Sequence, residues 1–266
     1  MRFACLLALA SAIAVAGAQS SNGSGVLTAR SGSVSARVTF HFGETFAKDI
    51  RIQIRREGRK LLDQKLHKVY DLPIKLRIKD LAGDGEPEVL ADFFTGGAHC
   101  CWYSLIYRYT GKGYGRLKHD WANGKYKLAD LDHDGTLELR SRDGRFAYAF
   151  TSYAASAFPV QIWSYAHGRL KDTTADYRRS VRKDARRLWN AYRRGRHKAE
   201  FDARGVLAAW MADQYRLGHQ GPGWAKLRAA NRRGELRGTG SGDIWPKGKR
   251  YLAALRTFLK KNAYAS

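Results

Sequence analysis

The chain has 266 residues, enough for one large domain or two ordinary ones. Its 48 Lys and Arg against 24 Asp and Glu give a formal net charge of +24, which directs attention to anionic partners. Only three cysteines are present, and no second Cys/His cluster exists to complete a zinc site.

The chain opens on Met1-Arg2, a short positive start, followed by an uncharged apolar run from Phe3 to Val15 and the small-x-small sequence Ala16-Gly17-Ala18. This predicts a secretory signal peptide cleaved after Ala18. The apolar run is too short to span a membrane comfortably, so a released chain, secreted or periplasmic and with no transmembrane segment after cleavage, is expected. Residues 19–33, Ser/Gly-rich from Ser20 to Gly25, are expected to form a disordered lead.

From Val34 to Leu170 short alternating segments, such as Ala36–Phe42 and Ile50–Ile54, are separated by Gly and Asp, as in antiparallel strands. Arg56-Glu57-Gly58-Arg59 reads as a hairpin tip. Two acidic loops punctuate this region. Asp130-Leu131-Asp132-His133-Asp134-Gly135-Thr136-Leu137-Glu138 places acids at positions 1, 3, 5 and 9 and glycine at 6. With the carbonyl of Thr136, these oxygens form a ligand set for a hard divalent cation, calcium. Position 12 is Ser141 rather than Glu, and strand-like flanks replace helical ones, which disfavours an EF-hand. Fifty residues earlier Asp80-Leu81-Ala82-Gly83-Asp84-Gly85-Glu86-Pro87-Glu88 repeats the pattern, with Ala82 in place of the second acid. Downstream, Ser104–Tyr109 matches Val160–Tyr165, so two copies of one β-unit are inferred.

These loops resemble the FG-GAP/VCBS-type repeats of exported bacterial proteins, whose blades carry D-x-D-x-D-G loops. The resemblance covers residues 70 to 170. It implies calcium ligation by the side chains of Asp130, Asp132, Asp134 and Glu138 and the carbonyl of Thr136, and by Asp80, Asp84 and Glu88 in the first copy, where Ala82 departs from the pattern.

Between the loops lies His99-Cys100-Cys101. In an exported chain the adjacent cysteines admit a strained vicinal disulfide, two free buried thiols, or metal ligation with His99. The uncharged stretch Phe146–His167 contains Pro159 and several hydroxyl residues, and is read as buried strands rather than a membrane span.

After Leu170 the period becomes helical. Tyr177, Val181, Ala185, Leu188 and Tyr192 recur along one face, Thr173 with Asp176 suggests a capping box, and Gly195 a stop. A second helix spans Phe201–Leu217, Pro222 opens a third and Pro246 a fourth. Residues 172–266 hold 23 Lys and Arg against 8 Asp and Glu. Arg178, Arg179, Arg182, Lys183, Arg186, Arg187, Arg193 and Arg194 crowd the first helix and form a candidate face for polyanions. Groove-reading motifs are missing, which argues against sequence-specific nucleic-acid binding.

The expected fold is thus α+β: an N-terminal antiparallel β-domain of two blade-like repeats over 34–170, followed by a basic α-helical domain over 171–266. The expected function is an exported calcium-binding structural or binding module associating with anionic cell-envelope or extracellular polymers. No nucleophile elbow, zinc helix or phosphate loop recommends catalysis. The alternative is a secreted hydrolase of wall polymer or polysaccharide, with Trp102, Tyr103, Tyr107 and Trp121 as a platform and Glu44, Asp92, Asp120, Glu200 or Asp202 as acid or base.

Overall fold

Alternating burial organises the first third of the chain in the computed structural model, which describes residues 23–43, 46–66, 71–97, 101–239 and 243–264. Strands β1 (Ser24–Ser31), β2 (Val34–Phe42), β3 (Ala47–Arg56) and β4 (Arg59–Lys65) form one antiparallel sheet in chain order. Along β2, Val34, Ala36, Val38 and Phe40 point into the core and the residues between them point out, the period of two that a half-buried strand requires. The β3–β4 turn places Glu57 and Gly58 at φ 51° and 77°, the paired left-handed conformation of a two-residue hairpin. The stretch expected as a disordered lead instead contributes β1, paired with β2 along its whole length. Leu27 and Ala29 lean on the core, and the backbone polar groups are satisfied across the ladder.

A second sheet follows from β5 (Leu72–Lys79), β6 (Glu88–Phe94), β7 (Trp102–Tyr109) and β8 (Tyr114–Ala122). A third comprises β9 (Lys127–Ala129), β10 (Glu138–Arg142), β11 (Val160–Ala166) and β12 (Arg169–Asp172). The fold is therefore mixed α+β with helices last, and it carries three four-stranded antiparallel sheets where the sequence counted two repeats. The additional sheet lacks the acidic loop by which the repeats were recognised.

The sheets stack with the helices into layers joined by three cores. The first core takes Val34, Ile52 and Ile54 from sheet one and Val89, Phe93, Leu105 and Tyr107 from sheet two. Leu90 and Ile106, on the opposite face of sheet two, meet Leu139 and Tyr165 of sheet three. Val160 and Ile162 then turn the other face of sheet three onto the helices. One residue of offset along a strand thus decides which layer a side chain joins.

The helices are α1 (Arg178–Gly195), α2 (Ala203–Leu217), α3 (Gln220–Arg232) and α4 (Gly248–Lys261). On α1, Val181, Ala185, Leu188 and Tyr192 are buried as one stripe. Apolar residues surround α2 on nearly every side and it is the central helix, packed by the other helices and by 146–160. Two sequence readings need correction here. Only Val160–Ala166 of the 146–167 stretch is a strand. The segment before it, from 144, holds short 3-10 turns at 144–146 and 153–155, anchored where Thr151 Oγ1 donates to Asp202 Oδ2 at 2.6 Å. The capping box at Thr173 and Asp176 does not form: Thr174 is held by Asp172 through both its backbone N–H and its hydroxyl, and α1 begins only at Arg178 without a side-chain cap.

Close packing of this irregular segment has a measurable consequence. A Cβ on Gly205 would lie 2.3 Å from the Ala155 carbonyl oxygen and 2.8 Å from Thr151 Cγ2. Gly205→Ala is expected to destabilise by about 1–3 kcal/mol, although alanine gains about 1 kcal/mol of helix propensity. The denaturant midpoint measures it; a stabilised variant would refute the contact.

Candidate metal centre

The second acidic loop, between β9 and β10, brings Asp130, Asp132 and Glu138 together, with one ligand atom of each within 4.8 Å of the others. Local hydrogen bonds shape it. Asp130 accepts from the His133 N–H at 2.6 Å and the Gly135 N–H at 3.1 Å, and Glu138 Oε2 accepts from the Leu131 N–H at 2.9 Å. Asp134 is turned aside: its Oδ1 accepts from the N–H and the hydroxyl of Thr136 at 2.8 and 2.6 Å, and these bonds hold its carboxyl below its ordinary value. Glu138 is buried while Asp132 is exposed, so the cluster has one anchored and one open side. Each carboxylate retains unused lone pairs, and the donor set suits a hard cation. Tyr177, just before α1, closes the buried side. Burial and the neighbouring Glu138 push its hydroxyl above the ordinary value, against a lowering hydrogen bond with Ser164.

The first loop, between β5 and β6, reproduces this scaffold bond for bond. Asp80 accepts from the N–H groups of Gly83 at 2.7 Å and Gly85 at 2.8 Å, Asp84 from Glu86 N–H at 3.0 Å, and Glu88 Oε2 from Leu81 N–H at 2.9 Å. Its carboxylates face protein cations. Arg108 Nη2 reaches Asp84 Oδ2 at 2.9 Å and Arg108 Nε lies 3.8 Å from Glu88 Oε1, while Arg56 pairs with Glu86. Burial, with Asp84 and Asp80 nearby, pushes the Glu88 carboxyl up to about 7. The two loops touch: a Cβ on Gly83 would come within 2.7 Å of Thr136 Cγ2. Gly83 takes φ 68°; in the second loop His133 holds φ 67°, a conformation costly to a residue with a Cβ.

The aromatic residues suggested as a platform are mainly core. Tyr103, Tyr107 and Trp121 are buried, and Trp102 is half-buried beside Phe94, their rings stacked at 4.7 Å. Asp92 is committed as well: Ser104 and Tyr126 donate to its Oδ1 and Arg77 pairs with its Oδ2. Asp202 caps α2 and pairs with Arg204, Glu200 is exposed, and Glu44 lies outside the described residues.

A cavity of about 770 Å³ that sequence reasoning missed opens where β8 and sheet three meet the helices. His119, Trp121 and Trp163 line one side, and Tyr215, Arg216 and Tyr264 belong to the helical side. The His119 ring packs 4.2 Å from Trp121 and 4.4 Å from Trp163, and burial holds it below its ordinary value. Two lining carboxylates are paired with arginine, Asp143 with Arg145 and Asp172 with Arg216, whereas Asp120 pairs with exposed Lys118. These residues come from six separate segments, so no local spacing announced them.

All eight basic residues singled out on α1 are exposed. Arg178 donates to the Leu217 carbonyl and Arg187 pairs with Asp184 at 2.7 Å, but Arg179, Arg182, Lys183, Arg186, Arg193 and Arg194 have no acidic partner among the described residues. Beside this face, Arg193, Arg196, Lys226 and Arg233 line a cleft of about 290 Å³ with Trp189. No described helix is long and apolar enough to cross a membrane. Cys101 is disulfide-bonded. Cys100, His99 and the signal peptide lie outside the described residues.

Residues 181–263, from the first buried residue of α1 to just past α4, match the model of a family described as the sll0997 C-terminal domain. The chain is similar to the probable thylakoid lumen protein sll0997 of Synechocystis sp., 30% identical over 170 residues, which cover 59% of this chain and 48% of that protein. It is also 30% identical over 194 residues to the uncharacterized protein y4bJ of Sinorhizobium fredii, covering 69% of this chain and 30% of that protein. The chain thus spans less than half the length of these curated relatives. No solved structure matches it. These findings overturn the resemblance to FG-GAP/VCBS-type repeats: the matching family is a different one and its model falls on the helices. An acidic glycine loop is a local solution open to many pairs of antiparallel strands, so its spacing does not specify a family.

Proposed function

We propose that this chain is an exported binding or structural module, stabilised by calcium in its second acidic loop, whose basic helices associate with anionic envelope or extracellular polymers. The observation that carries the reading is the convergence of Asp130, Asp132 and Glu138 in a chain of net charge +24, where three mutually repelling carboxylates need a counter-ion. The matched hydrogen bonds of the two loops support treating sheets two and three as copies of one blade-like unit. The Synechocystis relative is named as a probable thylakoid lumen protein, which supports export. The unpaired cations of α1 supply the polymer-facing surface, and binding there is expected to weaken steeply with salt.

Adding calcium to chelator-treated protein at about 100 times Kd is expected to stabilise the fold by about 2.7 kcal/mol, or roughly 5–10 °C in Tm. Asp132→Ala with Glu138→Gln should abolish the rise. An unchanged Tm in the wild type would sink the calcium reading. Charge-neutral substitution of Arg179, Arg182, Lys183 and Arg186 should lower both affinity for heparin and its salt slope.

The cavity favours a second reading, hydrolysis of a wall polymer or polysaccharide. There Asp120 is the lining carboxylate that no arginine holds, and it replaces Asp92 as the candidate acid or base. Turnover of wall material that is lost in Asp120→Asn would favour this reading over the first.

A further inference from the structure

Building on the calcium reading of the second loop, we propose that the first loop carries its own cation: the Arg108 guanidinium stands in for the metal. The chain then takes a single calcium ion, and the residue opposite the closing glutamate decides which loop receives it.

The two loops can be superposed by their bonds. In each, the first aspartate accepts from the N–H groups at positions 4 and 6, the third acidic position accepts from position 7, and the closing glutamate accepts from position 2. Strand register extends the equivalence. Val89, just after Glu88, pairs with Tyr107, and Leu139, just after Glu138, pairs with Trp163. One step further along β7 and β11 stand Arg108 and Ser164, so a guanidinium in one copy takes the place of a hydroxyl in the other.

Chemistry at the first loop follows from that exchange. Arg108 bonds Asp84 at 2.9 Å and turns its Nε toward Glu88 Oε1 at 3.8 Å. Glu88 is fully buried, and this Oε1 and the Arg108 Nε are both buried without a hydrogen-bond partner, so the two face each other as the complementary charges of the site. A buried carboxylate needs a counter-charge, and here the protein supplies it. The same loop has Ala82 where the second has Asp132: one anionic ligand is lost and one internal cation gained, which leaves the first loop two charges less negative than the second and lowers its demand for an ion. In the second loop Ser164 bonds Thr173 at 2.8 Å and brings no charge to Glu138, leaving Asp130, Asp132 and Glu138 to an external cation.

Equilibrium dialysis of the full chain against calcium, followed by elemental analysis, tests the assignment. Wild type is expected to hold one ion per chain, Ala82→Asp also one, and Ala82→Asp combined with Arg108→Ser two. Two ions in wild type, or a double variant holding no more than wild type, would overturn the proposal. No ion in wild type but one in the double variant would refute the calcium reading of the second loop and leave the role of Arg108 standing, so the two failures are separable. If the double variant does not fold, the converse exchange decides: Ser164→Arg is expected to remove the wild-type ion while the chain stays folded, and calcium retained at the wild-type level overturns the proposal.

Discussion

Arg204→Ala is expected to cost about 3–5 kcal/mol, because it strips the nearest counter-ion from two carboxylates with buried side chains at once. Arg204, in the first turn of α2, is 1% exposed. Its guanidinium reaches Asp202 at 2.6 Å and Asp243 at 2.5 Å and donates its remaining hydrogens to the carbonyls of Trp245 and Pro246. It therefore ties the 202–204 corner to the segment leading into α4. Burial pushes both carboxyls upward, yet hydrogen bonds from Arg204 hold Asp202 and Asp243 below their ordinary values. Carboxyls depressed in this way contribute stability above the unfolded-state value and lose it as pH falls through the folded one. In the variant Asp202 loses its cation and Asp243 keeps only Lys247, at 3.7 Å, so both gain from protonation and acidification should narrow the gap between variant and wild type. Arg204→Lys should recover only part of the loss, since an ammonium cannot reproduce the planar fork. Urea midpoints at pH 4 and pH 7 measure these effects; a loss under 1 kcal/mol at pH 7 would show that the hub is not structural.

The opposite result is expected at Asp213. This α2 side chain is fully buried and neither carboxylate oxygen has a hydrogen-bond partner among the described residues. Burial, reinforced by Asp184, pushes its carboxyl well above the ordinary value, against the pull of Arg216, Arg187 and Arg142. Removing it strands none of those arginines, because Arg187 and Arg142 retain Asp184 and Arg216 retains Asp172. Asp213→Leu is therefore expected to stabilise the protein by about 1–3 kcal/mol at pH 8, the cost of an unsatisfied buried polar group. The gain should grow with pH. A carboxyl raised in the folded state keeps its proton where the unfolded chain releases it, so wild type loses stability as pH climbs above the ordinary carboxylate value, by at most about 1.4 kcal/mol per pH unit. Thermal unfolding of both proteins at pH 4.5 and pH 8 checks the sign. A variant less stable than wild type at pH 8 would show that Asp213 is ionised and usefully paired.

Patterns with a short reach are legible in the sequence. The 56–59 hairpin, the strand alternation of 36–42, the buried stripe of α1 and the end of the second helix at Leu217 each depend on neighbours within a few residues. β1 is not legible there because its Ser/Gly content resembles a linker, and its order comes from pairing with β2. The irregular 146–159 stretch is not legible either, because apolar character alone does not separate strands from a packed loop, and the Thr151–Asp202 bond that fixes it spans 51 residues. Of the acidic loops, the convergence of Asp130, Asp132 and Glu138 followed from spacing, but the turning aside of Asp134 depends on the Thr136 hydroxyl. Arg108 was present in the aligned copies and could have been found by asking what faces each closing glutamate. The cavity could not, since it exists only where β8, sheet three and α2 meet.

The serial stack of cores also sets an order of assembly. The first uses residues up to Tyr114, the second residues from Leu81 to Leu170, and the third, apart from half-buried Leu131, residues from Phe146 onward. A polypeptide emerging amino-end first from the ribosome can therefore complete each core before the next is complete, with little apolar surface waiting for a distant partner. Truncations from the carboxyl end should strip layers one at a time, helices first, and leave the amino-terminal sandwich of sheets one and two to fold on its own.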